Sequence, residues 1–306
     1  MASSSTSSST TTTISIGRAA IGRGHEVKVM GIINVSPESF FKGSVLTSAQ
    51  EVARAAAEMQ AAGAHIIDIG AMSTAPYLDT VIPVEKEVER LRVAIRAAKE
   101  GCDLPISADT PRAEAARAAA EEGADAINDV TGLKYDARMA PAAAAAGLPV
   151  IAGAYYHHDS TAPAAGGVTA TVAALQESIA IAKKAGIKRG VVVDPSIGFF
   201  RKEGKGPFFT RTPDSDRTPW YERDLEVLSN IDRLVRLGPV CVSASRKSFI
   251  GHLLNLASPE DRLVPSIACE IVAAINGASI IRTHSVRETV QALTMLQLLS
   301  RSGKRL

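Results

Sequence analysis

Short, near-continuous apolar runs alternate along this chain with longer stretches of helical periodicity. Val27 to Val35 is the first run; β-branched residues dominate it, and Pro37 cannot extend a ladder, so pairing ends near Asn34. Ala64 to Gly70, AHIIDIG, repeats the pattern in the form expected of a strand buried on both faces. Further runs stand at Pro105 to Asp109, Asp125 to Asn128, Pro149 to Ala154, Val191 to Asp194, Val240 to Ser243 and Ser279 to Arg282. Between them the spacing predicts helices: Thr47 to Ala62 capped by Thr47, Val84 to Lys99, Arg112 to Glu122, Asp136 to Ala146 and Val168 to Ala185. Trp220 to Leu237, a long helical region up to Gly277, and Val286 to Arg301 complete the series.

Eight strand-then-helix units predict an α/β fold, a (β/α)8 TIM barrel. Residues 14–306 would form this one domain, with Ile14 to Lys28, punctuated by Gly17, Gly22 and Gly24, as an N-terminal β-hairpin placed to plug the barrel bottom. A doubly wound open sheet is the alternative, but that fold usually announces a glycine-rich phosphate turn after its first strand, and MGIINVSPES has none. One connection breaks the rhythm. Ser196 to Pro219, full of charge, glycine and proline, far exceeds the usual roughly 2 to 6 residues, and reads either as a lid or as a solvated insertion.

Composition narrows the classes of function. With 306 residues and 46% hydrophobic content the chain can bury a large core, and a net charge of only +2 gives no electrostatic footprint for nucleic acid. No apolar run approaches the about 20 residues that span a bilayer. Cys102, Cys241 and Cys269 lie far apart without metal-ligand spacing, which suits reduced thiols in a cytoplasmic protein. The first 13 residues are a Ser/Thr tract with nothing to bury and read as disordered; a transit peptide stays open, because Arg18 and Arg23 occur before any acid.

Polar residues collect where the strands stop: Asn34, Asp68, Asp109, Asn128 with Asp129, Asp194, the run Ser243 to Lys247, and Arg282 with His284. Any one of these could be a helix cap or turn former. In a barrel, however, all converge on one mouth. The early and middle strands supply carboxylates and amides suited to a flat, nitrogen-rich heterocycle. The late strands supply Arg246, Lys247, Arg282 and, if protonated, His284, which suit an anion, with Ser245 and Ser248 at a helix start. Tyr155, Tyr156, His157 and His158 invite a metal reading, but neighbouring histidines on a strand end point opposite ways, so loop packing is preferred.

MGIINVSPESF resembles the opening signature of dihydropteroate synthases, MGILNVTPDSF, and AHIIDIGAMSTAP resembles their second, IIDIGGESTRPG. ISADT, AINDVTG, VVDPSIGF, SASRKSFIG and IIRTHSV are similar to the family's later strand ends in the same order, so the resemblance runs from about Val29 to the final helix. It implies condensation of 7,8-dihydropterin-6-ylmethyl diphosphate with p-aminobenzoate or a related aminobenzene, giving 7,8-dihydropteroate and pyrophosphate. By the same resemblance Asp109, Asp194 and Lys247 are catalytic, with Asn128 on the pterin ring, Asp68 near it and Thr74 among the substrate-binding residues. Arg282 and His284 would hold the diphosphate with Mg2+ at Asn34, Ser245, Arg246 and Phe199 would shape the amine pocket, and a homodimer is expected.

Departures fall on the loops. The arginine and glycine of STRPG are Ala75 and Tyr77, SFSDGG becomes SFFKGS with Lys42 replacing an acid, and the glycine and lysine of GFGK become Phe200 and Arg201. GAYYHH ends the fifth strand where methionine and histidine motifs are usual. These changes leave the pterin set intact and point to a different amine or loop closure, as in archaeal relatives. A pterin-binding protein without synthase activity and a pterin-dependent methyltransferase are the other readings; the second gives the SRK and RTH ends no task.

Overall fold

A computed structural model of the chain describes residues 13–37, 46, 48–157, 167–212 and 219–301. The Ser/Thr tract up to residue 12, Thr47, the SFFKGS segment with Lys42, His158 and residues 213–218 lie outside them. The described chain opens with an antiparallel hairpin of β1 (Ile14–Ile16) and β2 (Ala19–Ile21), Ser15 facing Ala20. There follow β3 (Lys28–Asn34), α1 (Ala49–Ala61), β4 (Ile66–Gly70), α2 (Val84–Gly101), β5 (Ile106–Asp109), α3 (Ala113–Glu121) and β6 (Ala126–Asp129). Then come α4 (Met139–Ala146), β7 (Val150–Gly153), α5 (Gly167–Ala185), β8 (Val191–Asp194), β9 (Phe200–Arg201), β10 (Thr210–Arg211), α6 (Trp220–Ser229) and α7 (Ile231–Leu234). The chain finishes with β11 (Cys241–Val242), α8 (Ser248–Leu254), a 3-10 turn at Glu260–Arg262, α9 (Leu263–Ile275), β12 (Ile280–Thr283) and α10 (Val286–Arg301).

Eight parallel strands pair in the order β11, β12, β3, β4, β5, β6, β7, β8, and a bridge between Val193 and Val240 returns β8 to the start of β11, so the sheet closes as a TIM barrel. A backbone bond of 2.9 Å from Val193 N–H to the Pro239 carbonyl supports that closure. On α1 the cap is Ser48: its side chain accepts from Glu51 N–H while the Glu51 carboxylate accepts from Ser48 N–H, the reciprocal pair that satisfies two orphan donors. The expected helix from Trp220 to Leu237 is two helices, because the Asn230 backbone leaves the helical region at φ −125. The long region before Gly277 is broken as well. Asn255 closes α8 in the left-handed region, φ 55, a conformation that asparagine tolerates better than most residues, and Pro259 leads into the 3-10 turn. Among the described residues no helix is long and apolar enough to cross a membrane.

Two hydrophobic clusters hold the barrel. The larger lies between the strands and the surrounding helices. The smaller sits on the barrel axis, where Ile14, Ile16 and Ile21 of the hairpin meet Met30, Ile66, Ala126, Ile151, Val192, Cys241 and Ile280, all buried. Fully burying such a side chain contributes roughly 1.5–3 kcal/mol. The hairpin therefore plugs the amino-terminal end of the barrel.

The long connection after β8 is packed onto the rim at Phe200 and Phe208–Thr210, while residues 202–206 between them are exposed. β9 and β10 pair in parallel, Phe200, Phe208 and Phe209 are buried, Tyr155 donates its hydroxyl to the Pro207 carbonyl at 2.7 Å, and Lys205 N–H donates to the Pro76 carbonyl at 2.7 Å. Burial of three phenylalanines excludes a purely solvated insertion.

Candidate active site

Side chains two apart on a strand share a face, so the axial cluster dictates what stands above it. One step along from Ile66, Ala126, Val192, Cys241 and Ile280 come Asp68, Asn128, Asp194, Ser243 and Arg282. The apolar layer at the plugged end is thus followed by a polar layer at the carboxyl ends. Two strands differ: on β3 Met30 is followed by Ile32 and only then by Asn34, and on β7 Ile151 is followed by Gly153, where a Cβ would collide with the Val130 carbonyl oxygen and approach Ser196 Oγ to 2.8 Å. β7 yields space to the loops beside it.

Two adjoining cavities open here. The inner one is lined by Asp109, Asn128 and Asp194 with Val130, Ser196 and Ile197; the outer one by Asn34, residues 72–77, Gly198, Ser245, Ser248 and His284. Thr74, Asp109, Phe199, Ser243, Lys247 and Arg282 line both. Residues as far apart in sequence as Asp109 and Arg282 therefore share one cleft. The expected separation of carboxylates from cations is not what the geometry gives. Arg282 Nε donates to Asp68 Oδ2 at 2.6 Å and its Nη2 to Asp109 Oδ2 at 2.7 Å, so the late-strand cation is tied to the early-strand acids and stands on the seam.

Asp68 lines neither cavity; wholly buried, it accepts from Arg282 and from Asn128 Nδ2 at 3.0 Å and so orients both. Burial alone would lower the Arg282 guanidinium, but Asp68 and Asp109 hold it above its ordinary value. Burial, opposed by Arg282 and reinforced by Asp68, lifts the Asp109 carboxyl to about 7. Burial likewise raises Asp194, whose Oδ1 accepts from Ser196 N–H at 2.6 Å. Burial next to Arg282 lowers Lys247 to about 8, against the pull of Asp194, and its ammonium stands 4.4 Å from the centre of the Phe199 ring.

At the outer end two expected cations fall away. His284 is driven down to about 3 by burial and by Arg282, Arg246 and Lys247, so it is neutral; its N–H and Nδ1 both lie 3.2 Å from Ser245 Oγ. Arg246 lines neither cavity. Its guanidinium runs the other way, donating to the carbonyls of Pro259 and Glu260 at 2.9 and 3.1 Å and to Ser285 Oγ at 3.2 Å. The Arg246 backbone lies at φ 56, a left-handed conformation that turns the side chain away while Ser245 and Lys247 on either side reach the cleft. Asn34, whose Oδ1 accepts from Ser36 N–H at 3.0 Å, lines the outer cavity. Of the adjacent histidines, His157 stands edge-on to the Tyr155 ring at 6.5 Å.

The replaced loop residues also meet. Arg201 lies over the Trp220 ring at 4.1 Å and the Tyr77 ring at 5.4 Å, donates from Nε to the Gly198 carbonyl at 3.1 Å and from Nη2 to Ser248 Oγ, and so ties the loop after β4 to the wall of the outer cavity. Sequence patterning gives no sign of Arg223. It is buried under the β8 loop, donating from Nη2 to the Pro195 carbonyl at 2.8 Å and Thr171 Oγ1 at 2.7 Å and from Nη1 to Asp224 at 2.9 Å. The only signal would have been an ion pair on a helix face that also had to pack.

A family model described as pterin binding enzyme matches residues 30–284. The dihydropteroate synthase of Clostridium beijerinckii is 33% identical over 291 residues, covering 94% of this chain and 100% of that protein. The solved dihydropteroate synthase of Xanthomonas albilineans with 4-aminobenzoic acid superposes with a TM-score of 0.78 at 31% identity, covering 95% of this chain and 99% of that one. The same organism's enzyme in complex with 7,8-dihydropteroate gives 0.75 at 30% identity, covering 94% and 99%.

Proposed function

The chain belongs to the dihydropteroate synthase family of pterin binding enzymes, and from that premise we propose that it joins 7,8-dihydropterin-6-ylmethyl diphosphate to p-aminobenzoate or a related aminobenzene. The observation that carries this reading is the convergence of Asp109, Asn128, Asp194 and Lys247 on the inner cavity beside Arg282. The inner end offers carboxylate and amide acceptors and donors at fixed strand ends, which suits the pterin ring. The outer end, with Asn34, Ser245, His284 and the open faces of Arg282 and Lys247, suits the diphosphate and the amine.

In the reaction the bond from the exocyclic methylene carbon to the diphosphate oxygen breaks, and its electron pair leaves with pyrophosphate. The amine nitrogen then forms the new C–N bond and gives up a proton. Positive charge develops on the pterin and negative charge on the leaving group, so catalysis requires groups that favour each at its own place. Ionised Asp109 and Asp194 stand where the ring charge grows. Arg282 uses Nε and Nη2 on Asp68 and Asp109, which fixes its plane and turns its remaining donors, with Nη1 3.4 Å from Ser243 Oγ, toward the departing oxygens. A charge pair at 4 Å is worth ~1 kcal/mol in water and ~4 at an effective dielectric of 20, so a cleft that sheds water strengthens every such contact.

Magnesium fits this cleft in a limited way. Among the described residues no three His, Cys, Asp or Glu groups are arranged to hold a metal, but Mg2+ commonly takes one or two protein oxygens with water and substrate phosphates, and Asn34 lines the outer cavity. Asn34 would hold it, and the ion would neutralise charge on the diphosphate. The expected homodimer is supported by exposed apolar side chains on neighbouring helices, Val264, Val272 and Ile275 of α9 and Met295, Leu298 and Leu299 of α10. The unpaired thiols Cys102, Cys241 and Cys269 suit a cytoplasmic location.

The test is pyrophosphate release by purified protein given the dihydropterin diphosphate and each amine in turn, with and without Mg2+. Turnover with p-aminobenzoate or a related aminobenzene, reduced without Mg2+, is expected. Calorimetric binding of the pterin without turnover of any amine would leave a pterin-binding protein.

A further inference from the structure

Arg223 and Asp224 of α6 lie buried behind the turn that follows β8 and line neither cavity of the cleft. Their surroundings fix the plane of the guanidinium. Nη1 donates to Asp224 at 2.9 Å, Nη2 donates to Thr171 Oγ1 at 2.7 Å, and the guanidinium carbon stands 3.8 Å from the centre of the Phe200 ring. So oriented, the fork meets the chain just beyond Asp194: Nη2 also donates to the Pro195 carbonyl at 2.8 Å, and Nη1 stands 3.4 Å from the Ser196 carbonyl.

The Pro195 carbonyl and the Ser196 N–H belong to one peptide, and in a trans peptide the two point in opposite directions. Among the described residues every peptide is trans. Arg223 therefore grips this plane by its oxygen, while on the far side Asp194 Oδ1 accepts from its N–H at 2.6 Å. A cation on the carbonyl polarises the peptide and strengthens the donor opposite. The grip also opposes a strain. Ser196 sits at φ 54, a left-handed conformation uncommon for any residue but glycine. Turning the peptide over by about half a turn would carry Ser196 back to negative φ, and would set a carbonyl instead of an N–H against the Asp194 carboxylate.

We propose that Arg223 is a positioning residue that, through the peptide between Pro195 and Ser196, holds the Asp194 carboxylate as a fixed acceptor for the heterocycle at the inner end of the cleft. The inference rests on reading Asp194 as a contact of the pterin ring. The same turn carries Phe199, whose N–H donates to the Ser196 carbonyl at 3.1 Å, so the ring beside the Lys247 ammonium shares this support. The charges act in the same direction. Burial raises Asp194, and it is drawn down by the Ser196 N–H, then by Lys247 at the start of α8, Arg282 of β12 and Arg223 itself, with the Cys241 thiol of β11 also facing it. Loss of Arg223 removes one of these cations and loosens the N–H as well, so Asp194 must move further up.

NMR of protein labelled with carbon-13 at aspartate carboxyls and nitrogen-15 at serine reads the two groups directly, and calorimetric titration with 6-hydroxymethylpterin reads the consequence. In the wild type the Ser196 amide proton should lie far downfield and move as Asp194 titrates. Arg223→Met combined with Asp224→Asn removes the fork without leaving a lone buried charge. The Ser196 amide should then move upfield, the Asp194 titration should shift to higher pH, and affinity for the pterin near neutral pH should fall on the order of tenfold, the scale of one hydrogen bond to a charged group. Thr171→Val removes a different bond of the same guanidinium and leaves the peptide held, so it should move none of the three; a merely structural role would make both variants alike. If the double variant does not fold, Arg223→Lys, which keeps a charge beside Asp224 but not the planar fork, takes its place with the same expected directions. A wild-type Ser196 amide that ignores Asp194 overturns the proposal, as does an Asp194 titration that the folded variant leaves unmoved or that Thr171→Val shifts equally. A shifted Asp194 with unchanged pterin affinity would uphold the grip and remove Asp194 from the ring.

Discussion

The two ends of the cleft are built differently. Inner-end groups stand on strands: Asp109 is paired with Gly70 and Asn128 on either side, and Asp194 with Gly153, so the closed ladder sets their spacing. Outer-end groups ride on loops, residues 72–77 and Gly198 among them, and are held by side-chain contacts such as Arg201 on Tyr77 and Trp220. The departures Ala75, Tyr77, Phe200 and Arg201 all lie on those loops or on β9 behind them. A site can therefore change what it accepts at one end without disturbing how it holds the other, because ladder hydrogen bonds fix strand ends and loop packing can be exchanged piece by piece.

The sharpest way to break this comparison is at a residue that serves both ends. Lys247→Ala is expected to lower kcat on the order of a hundredfold or more, the scale of losing one preorganised donor, while far-ultraviolet circular dichroism and thermal unfolding stay near wild type. Normal turnover would remove Lys247 from the chemistry. The pH profile of kcat/KM comes next. In the proposed reaction Asp109 acts ionised and Lys247 protonated, so the rate should climb as pH rises through about 7 and fall as it rises through about 8, a narrow bell. Asp109→Asn should flatten the acid limb and leave the alkaline one. The smallest effect is at the outer end alone: Arg201→Ala removes a cation over two rings, worth ~0.5–2 kcal/mol, and should raise KM for the amine several-fold while calorimetric pterin binding is unchanged. Equal losses at both ends would show that the loops and the strand ends are coupled.

What the sequence discloses follows the same division. Asp68, Asn128 and Asp194 are legible because a buried strand has a strict period of two, so a polar residue closing an apolar run must face the same axis. Barrel closure and the plug follow from the number of units and from the apolar positions of the hairpin. Arg246 and His284 misled for a physical reason: charge and direction depend on surroundings that a linear pattern does not hold. The Arg246 backbone turns left-handed, and the cations around His284 deny it a proton. Arg223 escaped notice because helical periodicity does not distinguish a solvated ion pair from one sealed beneath a loop. The breaks at Asn230 and Asn255 were hidden inside helical spacing that continues on both sides of them.

The stopper formed by Ile14, Ile16 and Ile21 has a further effect on traffic. With the floor of the barrel sealed, there is no through-passage along the axis, and both reactants, the leaving group and the finished product must use the same doorway.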